Sequence, residues 1–362
     1  MLPISVCLIA KNEQTFINKC LQALIRYDWE VIVVDTGSSD RTREIALEYT
    51  PYVFDFPWNN NFSIAKNYCI SKAKNNWILS IDCDEYLTCL SNGMDLGQIM
   101  FEYMADPRKL GTIELRNPQI SSGNQTISIE RVSRFFHREY YHFEGAVHEQ
   151  LVPSRNQSIE YMDLPISFYH KGYSDPTILA KKADRNLRLL RNELDSSKEN
   201  KQNPYLFFQI GQSYFILGDM KNACSYFEKG LSLNVEPTLQ YVQTMVESYG
   251  YCLLKLKQLE KALQFENIYD TFCDRADFVF LMGLIYMENG MFHNAIEQFA
   301  KATTISKYTV EGVNSYSAFY NIGVIYECTE NRKEAEIYYR KCGEYRPALD
   351  GLKRLNTTED LR

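Results

Sequence analysis

The chain has 362 residues, 45% hydrophobic and 23% charged, with a net charge of −7. That length suits two domains, each able to bury a core of its own. The mildly acidic balance gives no electrostatic footprint for nucleic acid, and no window approaches the roughly 18 apolar residues of a membrane span. Ten cysteines fall singly, with no C-x-x-C, mostly at positions that read as apolar faces. They predict buried, reduced thiols in a cytoplasmic protein.

Ile4–Ala10 is a nearly continuous apolar strand that stops at Lys11-Asn12-Glu13. It is too short for a signal peptide and has no basic lead. Thr15–Ile25 carries Phe16, Cys20, Leu21 and Leu24 at helical spacing, and Glu30–Val34 is a second buried strand ending at Asp35-Thr36-Gly37-Ser38-Ser39-Asp40. Asp40 is placed to cap a helix running to Tyr49. A short strand at Tyr52–Phe56, a helix at Ser63–Ala73 and a strand at Trp77–Ile81 follow, the last running into Asp82-Cys83-Asp84-Glu85. Apolar strands separated by helices predict a parallel sheet covered on both faces. Ligands of such sheets sit beyond the carboxyl ends of the strands. The polar clusters Lys11–Glu13, Asp35–Asp40 and Asp82–Glu85 all fall at those ends.

From Gly111 to Tyr173 short β-like runs (Thr112–Leu115, Ser128–Ile129, Ser133–His137, Ile166–Tyr169) alternate with turns, and His137, His142, His148 and His170 lie among them. This stretch reads as the second half of the first domain. Pro176–Leu194 reads as a helix leading to a repeat. After Asn203, four windows share a pattern: Phe207, Gly211, Tyr214, Gly218, Ala223, Phe227; a degenerate one keeping Gly250 and Ala262; Gly283, Tyr286, Gly290, Ala295, Phe299; and Gly323, Tyr326, Ala335, Tyr339. Each predicts a helical hairpin in which small residues admit aromatic ones, and the pattern resembles the tetratricopeptide repeat. The expected division is 1–175 for the α/β domain, 176–202 for a helical linker, 203–350 for the repeats and 351–362 for a tail.

The chemistry concentrates in Asp82-Cys83-Asp84. Two carboxylates flanking one residue at a strand end can serve one ligand, one binding a divalent cation and the other a ribose hydroxyl or the metal's water. Hard oxygen donors suit Mg²⁺ or Mn²⁺. Phosphate-loop, G-x-G-x-x-G and G-x-S-x-G templates are absent from the sequence.

Residues 1–90 resemble the family 2, GT-A-type glycosyltransferases through Ser5–Glu13, Val33–Asp40, Phe62–Asn67 and Asp82–Glu85. The fold class implied is an α/β GT-A (nucleotide-diphospho-sugar transferase, Rossmann-like) domain plus an all-α tetratricopeptide-like repeat domain. The joined layout is similar to bacterial peptide S-glycosyltransferases of the glycocin type. The resemblance implies that Ala10, Glu13 and Asp35 line the base and ribose of a nucleotide, and that Lys66 and Asn67 lie near the base or diphosphate. Asp82 and Cys83 would border the ribose, and Asp84 would bind the metal. It further implies an inverting transfer of a hexose from a UDP-sugar, such as UDP-glucose or UDP-N-acetylglucosamine. Glu149 in Val147-His148-Glu149 is the expected base, with Glu144 in reserve. His170 is the expected further metal ligand, with His148 as the other candidate. Lys171 and Tyr173 would help hold the diphosphate. The acceptor implied is a peptide or protein, as in a bacteriocin-type peptide, held partly by the repeats. A cell-surface or lipopolysaccharide-type glycan is the alternative acceptor. An interaction scaffold with a degenerate nucleotide-binding domain is the non-enzymatic alternative. Repeat arrays of this kind can also build a homodimer, which no motif here demands.

Overall fold

The computed structural model describes residues 3–90, 96–121, 124–147, 149–155, 158–171 and 176–357. The chain divides into two compact units, Met1–Lys181 and Lys182–Arg362. In the first unit the order is β1 (Ile4–Ala10), α1 (Ile17–Leu24), β2 (Glu30–Asp35), α2 (Thr42–Tyr49), β3 (Val53–Asp55), α3 (Phe62–Ser71), β4 (Trp77–Ser80) and β5 (Glu85–Leu90). There follow α4 (Leu96–Tyr103), β6 (Lys109–Ser121), β7 (Asn124–His137), β8 (Tyr141–Glu144), β9 (Gln150–Pro153), β10 (Glu160–His170) and α5 (Pro176–Ser196), which runs on into the second unit.

Eight strands form one mixed sheet in the order β3-β2-β1-β4-β7-β6-β10-β5, and β8 and β9 form a separate hairpin. The first four strands are parallel, while β7 runs antiparallel to both β4 and β6. Successive residues of a strand face opposite sides of the sheet, and the two sides hold different cores. Val6, Leu8, Val33 and Leu79 pack with Cys20, Leu21 and Leu24 of α1 on one side. Cys7, Ile32, Val34 and Ile78 pack with Cys69 and Ile70 of α3 on the other. The continuous apolar runs of β1 and β2 are the sequence signature of this two-sided burial.

The sheet curls. In a flat sheet β4 and β5 would lie four strand spacings apart, about 19 Å. The segment joining them is short and turns tightly, with the Glu85 N–H donating to the Asp82 carbonyl at 3.1 Å. Only curvature brings the edge strand β5 near the carboxyl end of β4.

Three expectations change. The runs Thr112–Leu115, Ser128–Ile129 and Ser133–His137 are parts of a long hairpin, β6 and β7, paired from Gly111↔Phe135 to Ser121↔Asn124, and Ile166–Tyr169 is the end of β10. Glu114, Arg116 and Asn117 interrupt its apolar pattern and hid its length. The helix expected to be capped by Asp40 begins at Thr42, and Asp40 instead ties two loops together: its carboxylate accepts from the N–H groups of Thr42 (3.0 Å) and Gln14 (3.2 Å). Strand β5, whose residues follow the acidic cluster directly, had no separate sequence signal.

The second unit continues with α6 (Pro204–Ile216), α7 (Met220–Leu231), α8 (Gln240–Lys255), α9 (Leu259–Leu263), α10 (Tyr269–Phe272), α11 (Ala276–Glu288), α12 (Phe292–Ala302), α13 (Tyr316–Cys328), α14 (Arg332–Lys341) and α15 (Arg346–Thr357). These are the expected hairpins. In the degenerate window the second helix breaks into α9, a 3₁₀ turn at Gln264–Ile268 and α10. One contact recurs. A Cβ on Gly211 would lie 2.5 Å from the Phe227 ring, on Gly283 2.6 Å from Phe299, and on Gly323 2.7 Å from Tyr339. Glycine is required there because the neighbouring helix's ring occupies the space a side chain would need. Cys7, Cys20, Cys69, Cys83, Cys224, Cys252, Cys273, Cys328 and Cys342 are free thiols, and of these only Cys328 is exposed. Among the described residues no helix is long and apolar enough to cross a membrane.

Candidate active site

The loops after β1 and β2 are stitched together. Thr36 donates to the Ala10 carbonyl through its backbone N–H (2.8 Å) and its hydroxyl (3.1 Å). The Ser39 N–H donates to Asn12 Oδ1 at 2.8 Å, and the Glu13 N–H to the Thr42 hydroxyl at 2.7 Å. Asp35 ends β2 in register with Ala10. Its Oδ1 accepts from the N–H groups of Gly37 and Ser38, both at 2.7 Å. Its Oδ2 is buried without a hydrogen-bond partner among the described residues, an acceptor in want of a donor.

Beyond β4, the thiol of Cys83 donates to the Ile9 carbonyl at 3.4 Å and is buried. Turning Cys83 into the core leaves Asp82 and Asp84 free to serve different partners. Asp82 faces two cations, with Lys66 Nζ 3.2 Å from Oδ1 and Arg134 Nη2 3.0 Å from Oδ2. Burial would raise its pKa, but Lys66 and Arg134 outweigh that and hold the carboxyl well below the usual carboxylate range. Asp84 is buried, with Oδ2 3.3 Å from His170 Nε2. The strand register explains that meeting: β10 runs antiparallel to β5 and sets His170 opposite Glu85. The Lys171 N–H then donates to the Asp84 carbonyl at 2.9 Å, while its side chain is exposed.

Lys66, on α3, is 4% exposed and also lies 2.6 Å from Glu149 Oε1, with its ammonium 5.2 Å from the Phe143 ring centre. Burial disfavours the charged form, yet Asp82 and Glu149 raise its pKa above the ordinary lysine value. Asn67 serves the scaffold. Its amide donates to the Phe143 carbonyl (2.8 Å) and accepts from the Phe143 N–H (3.0 Å), fastening β8 to α3. The Phe62 N–H likewise holds the Ala146 carbonyl at 2.9 Å, which fixes the turn leading to Glu149. Glu144 is exposed beside His142, 3.0 Å away. His148 and Tyr173 lie outside the described residues.

Sequence reasoning missed Arg134 and the role of Glu85. Arg134 Nη2 is 2.7 Å from Glu85 Oε1, and Glu85 is fully buried. Burial works against the charge of Arg134, and Glu85 and Asp82 more than restore it. The antiparallel register Leu79↔Phe135 carries Arg134 toward the carboxyl end of β4. The available signal was a basic residue one step from two buried phenylalanines in a strand.

Three carboxylates (Asp82, Glu85, Glu149) therefore gather around two cations (Lys66, Arg134), and Asp84 lies beside His170 instead. Among the described residues no three acidic, imidazole or thiol side chains form a ready-made metal cage. The Asp84–His170 pair nevertheless fits a divalent cation. Its donor atoms stand 3.3 Å apart, near the ~3 Å edge of an octahedron with bonds of about 2.1 Å. A single carboxylate and an imidazole leave further positions for phosphate oxygens and water, as Mg²⁺ and Mn²⁺ commonly require. A cavity of about 660 Å³ at the opposite, amino end of β1 and β4 is lined by Pro3, Trp77, Phe101 and His137 and contains none of these groups.

Residues 5–90 match Glycosyl transferase family 2, and residues 204–234, 276–309 and 316–349 match the Tetratricopeptide repeat. The degenerate second window is the one left unmatched. Over 252 residues the chain is 28% identical to a TPR repeat-containing protein of Synechococcus elongatus, covering 67% of this chain and 60% of that protein. It is 27% identical over 237 residues to the SPbeta prophage-derived glycosyltransferase SunS of Bacillus subtilis, covering 62% and 52%. It is 28% identical over 166 residues to the lipopolysaccharide core biosynthesis glycosyltransferase LpsC of Rhizobium meliloti, covering 43% and 59%. The chain thus spans between 52% and 60% of the length of these relatives. It carries an N-terminal glycosyltransferase family 2 domain joined to C-terminal tetratricopeptide repeats.

Proposed function

We propose that this chain is an inverting, divalent-metal-dependent glycosyltransferase that moves a hexose from a UDP-sugar to a peptide or protein. The observation that carries the reading is the gathering of Asp82, Asp84, Lys66, Glu149 and His170 at the carboxyl ends of the parallel strands. Asp35, two strands across from β4 and so about 10 Å away, offers its unpartnered Oδ2 to a nucleoside hydroxyl or ring N–H.

Asp84 and His170 would hold Mg²⁺ or Mn²⁺. The ion, when bound, offsets the charge that develops on the departing diphosphate, and stabilising developing charge is usually the main source of rate in such transfers. The buried Asp84 carboxylate, beside His170, is the electrostatic reason a cation helps there before a diphosphate can approach. In the transfer itself a nucleophile X–H on the acceptor attacks the anomeric carbon. The X–C1 bond forms as the C1–O bond to phosphate breaks, UDP leaves with that electron pair, and the proton passes to the carboxylate of Glu149. Lys66 fixes Glu149 in place.

The resemblance to SunS-like enzymes and the presence of repeats, which stack into extended binding surfaces, favour a peptide acceptor. The similarity to LpsC favours a glycan as the second reading. A screen of UDP-sugars with Mg²⁺ or Mn²⁺, with peptide and carbohydrate acceptors read by mass spectrometry, separates the two. Asp84→Asn should abolish metal-supported UDP binding in calorimetry. Unchanged affinity in that variant, or no turnover of any UDP-sugar by the folded wild type, counts against the proposal.

A further inference from the structure

His170 is held from behind. Its Nδ1 lies 2.9 Å from Asn117 Oδ1, and both side chains are buried. The other end of the Asn117 amide hydrogen-bonds the side chain of Glu130 on β7, a carboxyl whose pKa is raised by its burial, with His170 and the Asn117 contact pulling the other way. With Oδ1 facing the imidazole, the Asn117 NH₂ faces Glu130 and donates to a carboxyl oxygen there. The imidazole then carries a hydrogen on Nδ1, and its Nε2 is the atom presented to Asp84, 3.3 Å away. Were the amide reversed, NH₂ would meet Nδ1, the neutral ring would carry its hydrogen on Nε2, and no lone pair would face Asp84. The pairing of β6 with β7 (Asn117↔Ser128, Leu115↔Glu130) and of β10 with β6 (Tyr169↔Arg116) sets these residues in line across three strands.

We infer that Glu130 and Asn117 are positioning residues for the metal site, an amide relay that fixes the tautomer and orientation of His170 so that Nε2 is available as a ligand. The inference rests on the proposed metal-dependent function. Partners of this kind behind a ligating imidazole typically change metal affinity 10- to 100-fold.

The test uses the full chain with Mn²⁺ and UDP. Calorimetry gives the Mn²⁺ affinity, and electron spin-echo modulation from ¹⁴N reports a directly bound imidazole. Wild type should show the nitrogen modulation and His170→Ala should lose it. Asn117→Leu and Glu130→Leu should weaken Mn²⁺ roughly 10- to 100-fold and reduce the modulation. Glu130→Gln keeps an acceptor for the Asn117 NH₂ and should retain both. It also serves if the leucine variants fail to fold by circular dichroism: Glu130→Gln must then behave as wild type. Wild-type affinity and modulation in the folded leucine variants, or their loss in Glu130→Gln, overturns the relay alone. Absence of modulation in wild type with unaltered Mn²⁺ binding in His170→Ala overturns the metal role of His170 and the relay with it.

Discussion

Replacing Lys66 with methionine removes a buried ammonium while keeping most of its volume against Phe143. Glu149 then loses a partner at 2.6 Å, and Asp82 loses the one at 3.2 Å while keeping Arg134. Removing one member of a buried ion pair costs about 3–5 kcal/mol, because the remaining charge is stranded. Since Asp82 stays paired, the lower end, about 3 kcal/mol, is expected. Trp29, Trp58 and Trp77, the three tryptophans of the chain, all lie in the N-terminal unit. Tryptophan fluorescence in urea therefore follows that unit. With m near 2 kcal/mol per molar, the midpoint should fall by roughly 1.5 M. Lys66→Met with Glu149→Gln removes the orphaned charge and should recover more than half of the loss. A cost under about 1 kcal/mol at pH 7, or a double variant weaker than the single, would refute charge pairing as the reason for this burial.

Glu149→Gln should leave UDP and metal binding intact in calorimetry while lowering turnover by about 10²-fold or more; a wild-type rate would remove Glu149 from the mechanism. In the repeats, burial pushes Glu247 up to about 7 despite Arg275 beside it at 3.0 Å. Its folded pKa thus exceeds the unfolded value, so the native state binds the extra proton between about pH 4.5 and 7, and stability should fall as pH rises through that window. Urea unfolding followed by helical circular dichroism should show this loss, on the order of 3 kcal/mol, and Glu247→Gln should flatten it; an unchanged pH profile in that variant would contradict the assignment. Gly283→Ala places a methyl 2.6 Å from the buried Phe299 ring and should destabilise by about 1–3 kcal/mol despite alanine's better helix propensity. Adding Phe299→Leu should relieve part of it, and a stabilised single variant would show that the ring can move.

The local pattern of the chain was enough to specify the parallel strands and the helical hairpins, and to mark the strand ends at which the proposed site is placed. Unbroken apolar runs at Ile4–Ala10 and Glu30–Val34 require burial on both faces, and polar residues immediately after them mark the open ends of the strands. The recurring glycine and aromatic pair likewise marks helical hairpins, because each hairpin repeats one packing contact. These signals are legible because they are short-range: periods of two or about 3.6 residues, and a repeat of fixed length. Partnership between distant residues carries no such local mark. The meeting of His170 with Asp84, of Arg134 with Asp82 and Glu85, and of Lys66 with Glu149 depends on strand order, on the antiparallel registers of β5, β7 and β10, and on the curl of the sheet. Asn67 reads in sequence like a ligand contact and in the fold is a strut, because its amide matches the backbone of Phe143. Only tertiary packing decided which charge neutralises which, because that pairing follows from distances between strands that sequence neighbours do not share.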